Sequence, residues 1–246
     1  MQANFRKKQN VPSPILQFPG LIDPRNRDLW ESLQLKYHFE LERGPEPGYL
    51  TYFDNNRVVV EVDIEEISPA AFTHELLHVY LKSEGLEIVW DFRERVQRDP
   101  ELQKIFSTSL RVHIGNCLEH NKMLPLFLSL GFTREDFLRD YHIKIMGVSQ
   151  VKDLEKNYLR FDKVDLNSVD TFIGKYFAMA ASVNSNFDYK PVLQRLQEID
   201  PLLFSILNNF WESWQNFKLG EPKEKYLKLL DRFLLDIKLW INNDFR

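Results

Sequence analysis

The chain has little cysteine and no long apolar run. Cys117 is the only cysteine in 246 residues, which excludes an intramolecular disulfide and a structural zinc site of four thiolates. A lone thiol is typical of a reducing compartment. No segment reaches the roughly 20 apolar residues of a membrane-spanning helix, and no apolar run follows the basic residues 1–10 as in a secretory signal. We therefore expect a cytoplasmic protein without a membrane partner.

Neither sign of charge dominates. The net charge is −4 and the isoelectric point about 5.9, so the chain has no general attraction for nucleic acid, and a nucleic-acid partner is not expected. Hydrophobic residues make up 43% and aromatic residues 13%, which predicts a folded protein with a core rich in rings. Nothing in the pattern indicates an oligomeric state.

The chain contains one pattern with a chemical meaning, His-Glu-x-x-His at residues 74–78. On a helix, His74 and His78 lie on the same face, one turn apart, and both can bind one zinc ion. Glu75 projects to the side of that face. It is badly placed as a ligand but well placed to reach a water at the metal, as the general base of metal-assisted hydrolysis requires.

The residues around the motif predict a buried helix. Ser68 is a good N-cap, Pro69 suits the first helical position and Gly85 suits the position after the end. Between them apolar residues fall on nearly every side, which is the pattern of a buried helix. Buried imidazoles need partners. A zinc ion would satisfy both at once; the alternative is that each makes ordinary hydrogen bonds.

Two segments together resemble a known enzyme family. Arg57–Val62 followed by Thr73–His78 is similar to the strand and active-site helix of zincin metallopeptidases, and most similar to the small intracellular ImmA/IrrE-like group. The resemblance covers roughly residues 48–125. It implies a zincin-like core, a Zn²⁺ cofactor, peptide hydrolysis, and a sheet edge that holds the substrate as an added strand. Because this group is associated with repressor cleavage, it also implies a protein or peptide substrate, with a regulatory protein among the candidates.

A catalytic zinc ion needs a third protein ligand, and the best candidate stretch is residues 115–123. Glu119 and His120 are both candidates for this ligand. Adjacent residues point about 100° apart on a helix, so both are not expected to bind the same metal ion. We prefer Glu119, because the resemblance implies an Asn-x-x-Glu helix and Asn116 to Glu119 match it. His120 is the alternative, and the carboxylates of Glu84, Glu87 and Asp91 are further candidates.

Four other residues have side chains that could take part in chemistry. His113 and His142 are candidates for a partner of a ligand or an oxyanion donor, although ordinary structural roles are commoner for such histidines. His38 is expected to be structural. Cys117 lies on an apolar stripe and is interpreted as a small buried hydrophobe. The aromatic residues at 210–217 are expected to pack in a helical core.

The predicted fold is α+β and mostly helical, with a zincin-like core. Strands at 49–53 and 57–62 form an antiparallel hairpin beside the active-site helix. The predicted domains are 1–145, beginning with an extended arm at 1–25, and a helical region at 146–246. Helices are predicted at 28–42, 68–84, 87–98, 100–123 with a break near 107–109, 125–130, from 133, 168–183, 191–198, 201–217 and 221–243, and residues 145–165 are predicted to be irregular.

The predicted function is zinc-dependent peptide hydrolysis, with Glu75 as the general base and His74, His78 and Glu119 as ligands. The alternative from a different class is a non-catalytic or latent regulatory protein on a zincin scaffold. A non-peptide amide hydrolase that uses the same zinc water is a third possibility.

Overall fold

The computed structural model describes residues 14–160 and 163–244, and this part of the chain is mostly helical. A 3-10 helix at Pro14–Gln17 precedes the first α-helix. The helices are α1 (Arg27–Gln34), α2 (Pro69–Ser83), α3 (Ile88–Gln97), α4 (Pro100–Ile105), α5 (Thr108–Ser129), α6 (Val148–Tyr158), α7 (Leu166–Ala180), α8 (Lys190–Ile199), α9 (Pro201–Asn216) and α10 (Lys223–Asp244). The strands are β1 (His38–Arg43), β2 (Leu50–Asp54), β3 (Arg57–Val62), β4 (Leu159–Arg160) and β5 (Lys163–Val164). The predicted α+β class is confirmed.

The main sheet has three strands in the order β1-β3-β2. β2 and β3 form the predicted antiparallel hairpin, and Asn55 in its turn has a φ of 55°, which asparagine tolerates better than most residues. β1 pairs with β3 in parallel, with His38 opposite Arg57. The hairpin is confirmed, and β1 makes the sheet mixed rather than antiparallel.

The helix predicted for 28–42 is wrong in its second half. α1 ends at Gln34, and the chain from His38 to Arg43 is β1. Phe39 and Leu41 are two residues apart on β1, and both are buried in the core. The backbone of β1 pairs with β3. Pairing with a distant strand therefore outweighs the local helical pattern.

The described chain divides into two compact units, one up to Val79 and one from Tyr80 onwards. The division falls within α2, which continues through it, and it differs from the predicted 1–145 and 146–246. In the first unit, Trp30 of α1 packs against Phe39 of β1 and Phe72 of α2, with ring centroids 4.7 and 5.5 Å apart. These contacts fix the start of α2 against the sheet.

Residues 14–25 of the predicted arm are not simply extended. They contain the 3-10 helix and turns, and Phe18 and Leu21 are buried. The rest of that predicted arm, residues 1–13, lies outside the described residues.

The second unit is built mainly of helices, and most of its predicted helix ends are confirmed. The Asp99 side chain accepts hydrogen bonds from the backbone N–H groups of Glu101 and Leu102 at the start of α4, and Asp200 caps α9 in the same way. The predicted break falls between α4 and α5, where Ser107 caps α5. Each cap satisfies amide groups that a helix start leaves without partners.

Two predictions between α5 and α7 are wrong. Residues 133–147 form turns instead of a helix; Thr133 donates through both its N–H and its hydroxyl to the Asp136 carboxylate, which closes a local turn. Residues 148–158, predicted to be irregular, form α6. Its Val151, Leu154 and Tyr158 are buried, so an apolar stripe between polar residues stabilises this helix.

Gly115 lets α5 approach α3 closely. A Cβ atom added at Gly115 would lie 2.5 Å from Cγ2 and 3.2 Å from Cα of Val89. Valine is stiff at χ1, so its methyl group cannot swing away. Gly115 therefore allows α5 to pack closely against α3.

Gly115→Ala is expected to lower the free energy of unfolding by about 1–3 kcal/mol, because overpacking outweighs the roughly 1 kcal/mol gain in helix propensity. Urea unfolding measures the change. In a background that carries Val89→Ala the same substitution should cost clearly less. An equal cost in both backgrounds would show that the Val89 contact is not the cause.

Lys122 joins α5 to the end of α9. Its ammonium group is buried and donates to the carbonyl oxygens of Trp214 and Phe217, at 2.7 and 2.6 Å. A cation at a helix C-terminus stabilises the carbonyl groups that have no partner within the helix. Burial lowers the pKa of Lys122 to about 8. The indole N–H of Trp214 in turn donates to the Leu118 carbonyl at 3.1 Å, so these contacts set the rotation of α5.

Candidate metal centre

α2 has the ends that the sequence predicts. The Ser68 hydroxyl accepts from the N–H of Ala71 at 3.2 Å, which is an N-cap. At the other end Gly85 has a φ of +82°, and the N–H groups of Gly85 and Leu86 bond back to the carbonyls of Lys82 and Leu81. This is a Schellman motif. The register of the His-Glu-x-x-His motif on the helix is thereby fixed.

His74 and His78 lie on one face of α2, as their spacing predicts. Their ring centroids are 5.1 Å apart and the ring planes are inclined at 67°. Both side chains are partly exposed. Phe72, Leu76 and Val79 around them are fully buried, so the two imidazoles occupy the polar break in an otherwise apolar helix.

Three histidines come together. One ring nitrogen from each of His74, His78 and His120 lies within 4.8 Å of the other two, so the group could hold a metal ion. His120 belongs to α5. In a tetrahedral zinc site with Zn–N bonds of 2.0–2.1 Å, ligand nitrogens are about 3.4 Å apart.

The third member of this group is the residue that the sequence analysis kept as its alternative. Glu119, the preferred third ligand, is 9% exposed and is not one of the three grouped residues. Of the other carboxylates considered, Glu87 and Asp91 form ion pairs with Lys223, at 3.4 and 3.1 Å. These two carboxylates serve the packing of α3 and α10.

Glu75 is the carboxylate nearest to the histidines along α2. It is only 8% exposed and follows His74 directly in the sequence. Burial strengthens the electrostatic interactions of a carboxylate, because little water screens it. A carboxylate in this environment can accept and return a proton.

A fully buried asparagine holds the first turn of α2, and the sequence analysis missed it. The Asn26 amide donates to the Thr73 hydroxyl and to the Leu21 carbonyl, both at 2.9 Å, and accepts from the N–H of Asp23 at 2.9 Å. The Thr73 hydroxyl donates to the Pro69 carbonyl at 2.6 Å. Thr73 precedes His74, so this network fixes the backbone next to His74. The sequence signal that could have identified this residue is the position of an asparagine just before α1.

A tyrosine of α10 holds the turn that follows α2. The Tyr226 hydroxyl donates to the Asp91 carboxylate and also lies 3.4 Å from the Gly85 carbonyl oxygen. It accepts from the N–H of Glu87 at 3.4 Å. Burial, and then the hydrogen bond to Asp91, raise the pKa of Tyr226. The phenol therefore stays protonated and keeps these contacts.

The remaining histidines are not among the three grouped residues. His113 donates through Nε2 to the Gly174 carbonyl at 3.0 Å, which joins α5 to α7. The His142 ring lies 5.0 Å from that of Tyr141 in an edge-to-face contact, and His38 lies 3.7 Å from the carboxylate of Glu40. His113 therefore joins two helices, whereas the His38 side chain is exposed on β1.

Cys117 is buried, as the sequence predicts. Burial raises the pKa of its thiol to about 12. The thiol is therefore protonated at neutral pH and poorly reactive.

Comparison with protein-family models, with curated proteins and with solved structures found no match. Among the described residues, no helix is both long and apolar enough to cross a membrane.

Proposed function

We propose that the chain is a zinc-dependent metallopeptidase in which His74, His78 and His120 hold the ion. One observation carries the proposal: ring nitrogens of His74, His78 and His120 lie within 4.8 Å of one another, and two of these histidines belong to the motif that contains Glu75. The resemblance of residues 48–125 to zincins supports it. The substrate class is a peptide or protein.

The donor set fits zinc. Neutral imidazole is a preferred zinc ligand, and three protein ligands leave the fourth tetrahedral position for a water or a substrate oxygen, as in catalytic sites. When bound, zinc supplies a Lewis acid that polarises a carbonyl and makes a coordinated water far more acidic. The partial exposure of all three histidines leaves a route for the substrate.

Glu75 supplies the proton transfers. Its carboxylate accepts a proton from the attacking water and returns it to the amine nitrogen that leaves. The same carboxylate serves first as the base and then as the acid, because the proton that it accepts from water is the proton that it returns. His74, His78 and His120 have no proton to exchange in this scheme and act as ligands only.

Metal analysis tests the ligand set. Purified wild type is expected to contain about one equivalent of metal, with zinc as the element, and His78→Ala and His120→Ala are expected to lose it, because two imidazoles bind far more weakly than three. Glu119→Gln is expected to keep it. The measurement is elemental analysis after dialysis against a weak chelator.

His142→Ala is the matched control, since it removes an imidazole outside the group. Circular dichroism of each variant shows whether the helices remain. Equal metal in the wild type, His78→Ala and His120→Ala would refute the site. Loss in Glu119→Gln with retention in His120→Ala would make Glu119 the third ligand. If the wild type contains a different metal, the identification of the ion as zinc is wrong, but the three-histidine ligand set is not affected.

A further inference from the structure

The orientation of the His120 imidazole is not determined by α5 alone. The helix sets the direction of the Cα–Cβ bond, but the last side-chain torsion of a histidine has only broad preferences. His120 is also partly exposed, so it is not packed on every side. A neighbouring side chain is therefore needed to select the orientation in which a ring nitrogen of His120 lies within 4.8 Å of nitrogens of His74 and His78.

Phe137 is a neighbour of this kind. Its ring centroid lies 5.4 Å from that of His120, and the ring planes are inclined at 78°. Edge-to-face contacts of this geometry are preferred between aromatic rings. Phe137 is only 2% exposed. The imidazole therefore meets a buried ring, which limits its rotation.

Phe137 is itself held by a cluster of rings on α5. Phe127 follows His120 by seven residues, which places both on the same face of the helix, two turns apart. The Phe137 ring contacts the Phe127 ring as well, with centroids 5.1 Å apart and planes inclined at 69°. Phe132 stacks on Phe127, at 4.8 Å and 24°. Phe137 thus lies across two turns of α5 and touches His120 at one of them.

Hydrogen bonds hold the backbone on both sides of Phe137. Before it, the N–H and the hydroxyl of Thr133 donate to the Asp136 carboxylate at 3.0 and 2.7 Å. After it, the buried amide of Asn184 donates to the Tyr141 carbonyl at 2.8 Å. The turn segment 133–147 therefore presents Phe137 to α5 from a fixed position.

We propose that Phe137 is a positioning residue for the candidate metal centre. Its ring holds the His120 imidazole in the orientation in which the three imidazole nitrogens meet one ion, and it acts only through His120. The effect on metal binding rests on the proposed function, but the orientation of the ring is a property of the metal-free protein. Removal of a group that orients a ligand typically weakens metal binding by about 10–100-fold.

Imidazole proton resonances of the full-length, metal-free protein test the orientation. Phe137→Leu is expected to shift the ring-proton resonances of His120, because the ring current of Phe137 is lost. Phe132→Leu is the matched control, since it removes a ring of the same cluster that stacks on Phe127, and it should shift them far less. His120 resonances that do not move in Phe137→Leu, or that move equally in both variants, would overturn the proposal.

Competition with a chromophoric chelator measures the consequence for zinc. Phe137→Leu is expected to bind zinc about tenfold more weakly than wild type, whereas Phe132→Leu should keep the wild-type dissociation constant. Circular dichroism and urea unfolding show whether both variants are folded and similarly stable. Wild-type affinity in Phe137→Leu, or the same loss in Phe132→Leu, would contradict a specific effect through His120.

A second pair of variants leaves the core intact. Asp136→Ala opens the turn before Phe137 from an exposed position and should bind zinc severalfold more weakly. Asp140→Ala removes the same charge from an exposed position on the same segment and should bind as wild type does. Equal affinity of these two variants would overturn the proposal even if Phe137→Leu does not fold. If wild type binds no zinc, the metal centre is refuted, while the His120 resonances still decide whether Phe137 orients the ring.

Discussion

Glu75→Gln is expected to abolish peptide hydrolysis while the metal stays bound. Glutamine has nearly the same shape as glutamate but cannot accept a proton at neutral pH. General acid–base catalysis contributes about 10²–10⁴-fold in rate, so the loss should approach the limit of detection. The measurement is cleavage of a quenched fluorescent peptide library by metal-loaded protein, alongside elemental analysis of the same samples.

Glu31→Gln is the matched control for this variant. Glu31 lies on α1 and is exposed, so its replacement changes the charge by the same amount without touching the motif. It should keep full activity. Retained hydrolysis in Glu75→Gln would refute the general-base role. If metal-loaded wild type cleaves nothing, the regulatory alternative on a zincin scaffold replaces the peptidase.

Asn26→Ala is expected to lower the free energy of unfolding by about 3–5 kcal/mol. The side chain is fully buried, and its loss leaves the Leu21 carbonyl, the Thr73 hydroxyl and the Asp23 N–H short of a partner. Each buried polar group left unsatisfied costs about 1–3 kcal/mol. Urea unfolding followed by circular dichroism measures the change.

Asn209→Ala provides the comparison, because Asn209 is an exposed asparagine on α9. It should change the stability by less than about 0.5 kcal/mol. A similarly small change for Asn26→Ala would show that water replaces the lost contacts. Because Thr73 is next to His74, we also expect Asn26→Ala to weaken metal binding.

Local signals predicted the part of the fold that local contacts determine. Ser68 and Gly85 bound α2 in the sequence and in the structure, and Asp99 marks the start of α4. The hairpin of β2 and β3 follows from two β-rich runs around a turn. In each case the residue type satisfies the backbone geometry at its own position.

Where contacts between residues far apart in the sequence determine the secondary structure, the predictions were wrong. His38–Arg43 has an acceptable helical pattern, yet it pairs with β3 nineteen residues further on. Thr133 has the features of a helix start, but its bonds to Asp136 close a turn. Neither competing interaction is visible from periodicity alone.

The choice of the third ligand also depends on contacts that the sequence pattern does not show. Glu119 and His120 differ by about 100° of rotation on a helix, so the choice between them depends on how α5 is turned. The contacts of Gly115 with Val89 and of Lys122 with Trp214 set that rotation. The spacing of residues within α5 does not encode them.

The strand order has a consequence for synthesis. The middle strand of the main sheet, β3, is the last of the three in the sequence. When β1 and β2 have left the ribosome, neither has a neighbour with which to pair, and both expose backbone groups and apolar side chains. A pause in translation while β3 is still inside the ribosome would prolong the exposure of an aggregation-prone nascent chain.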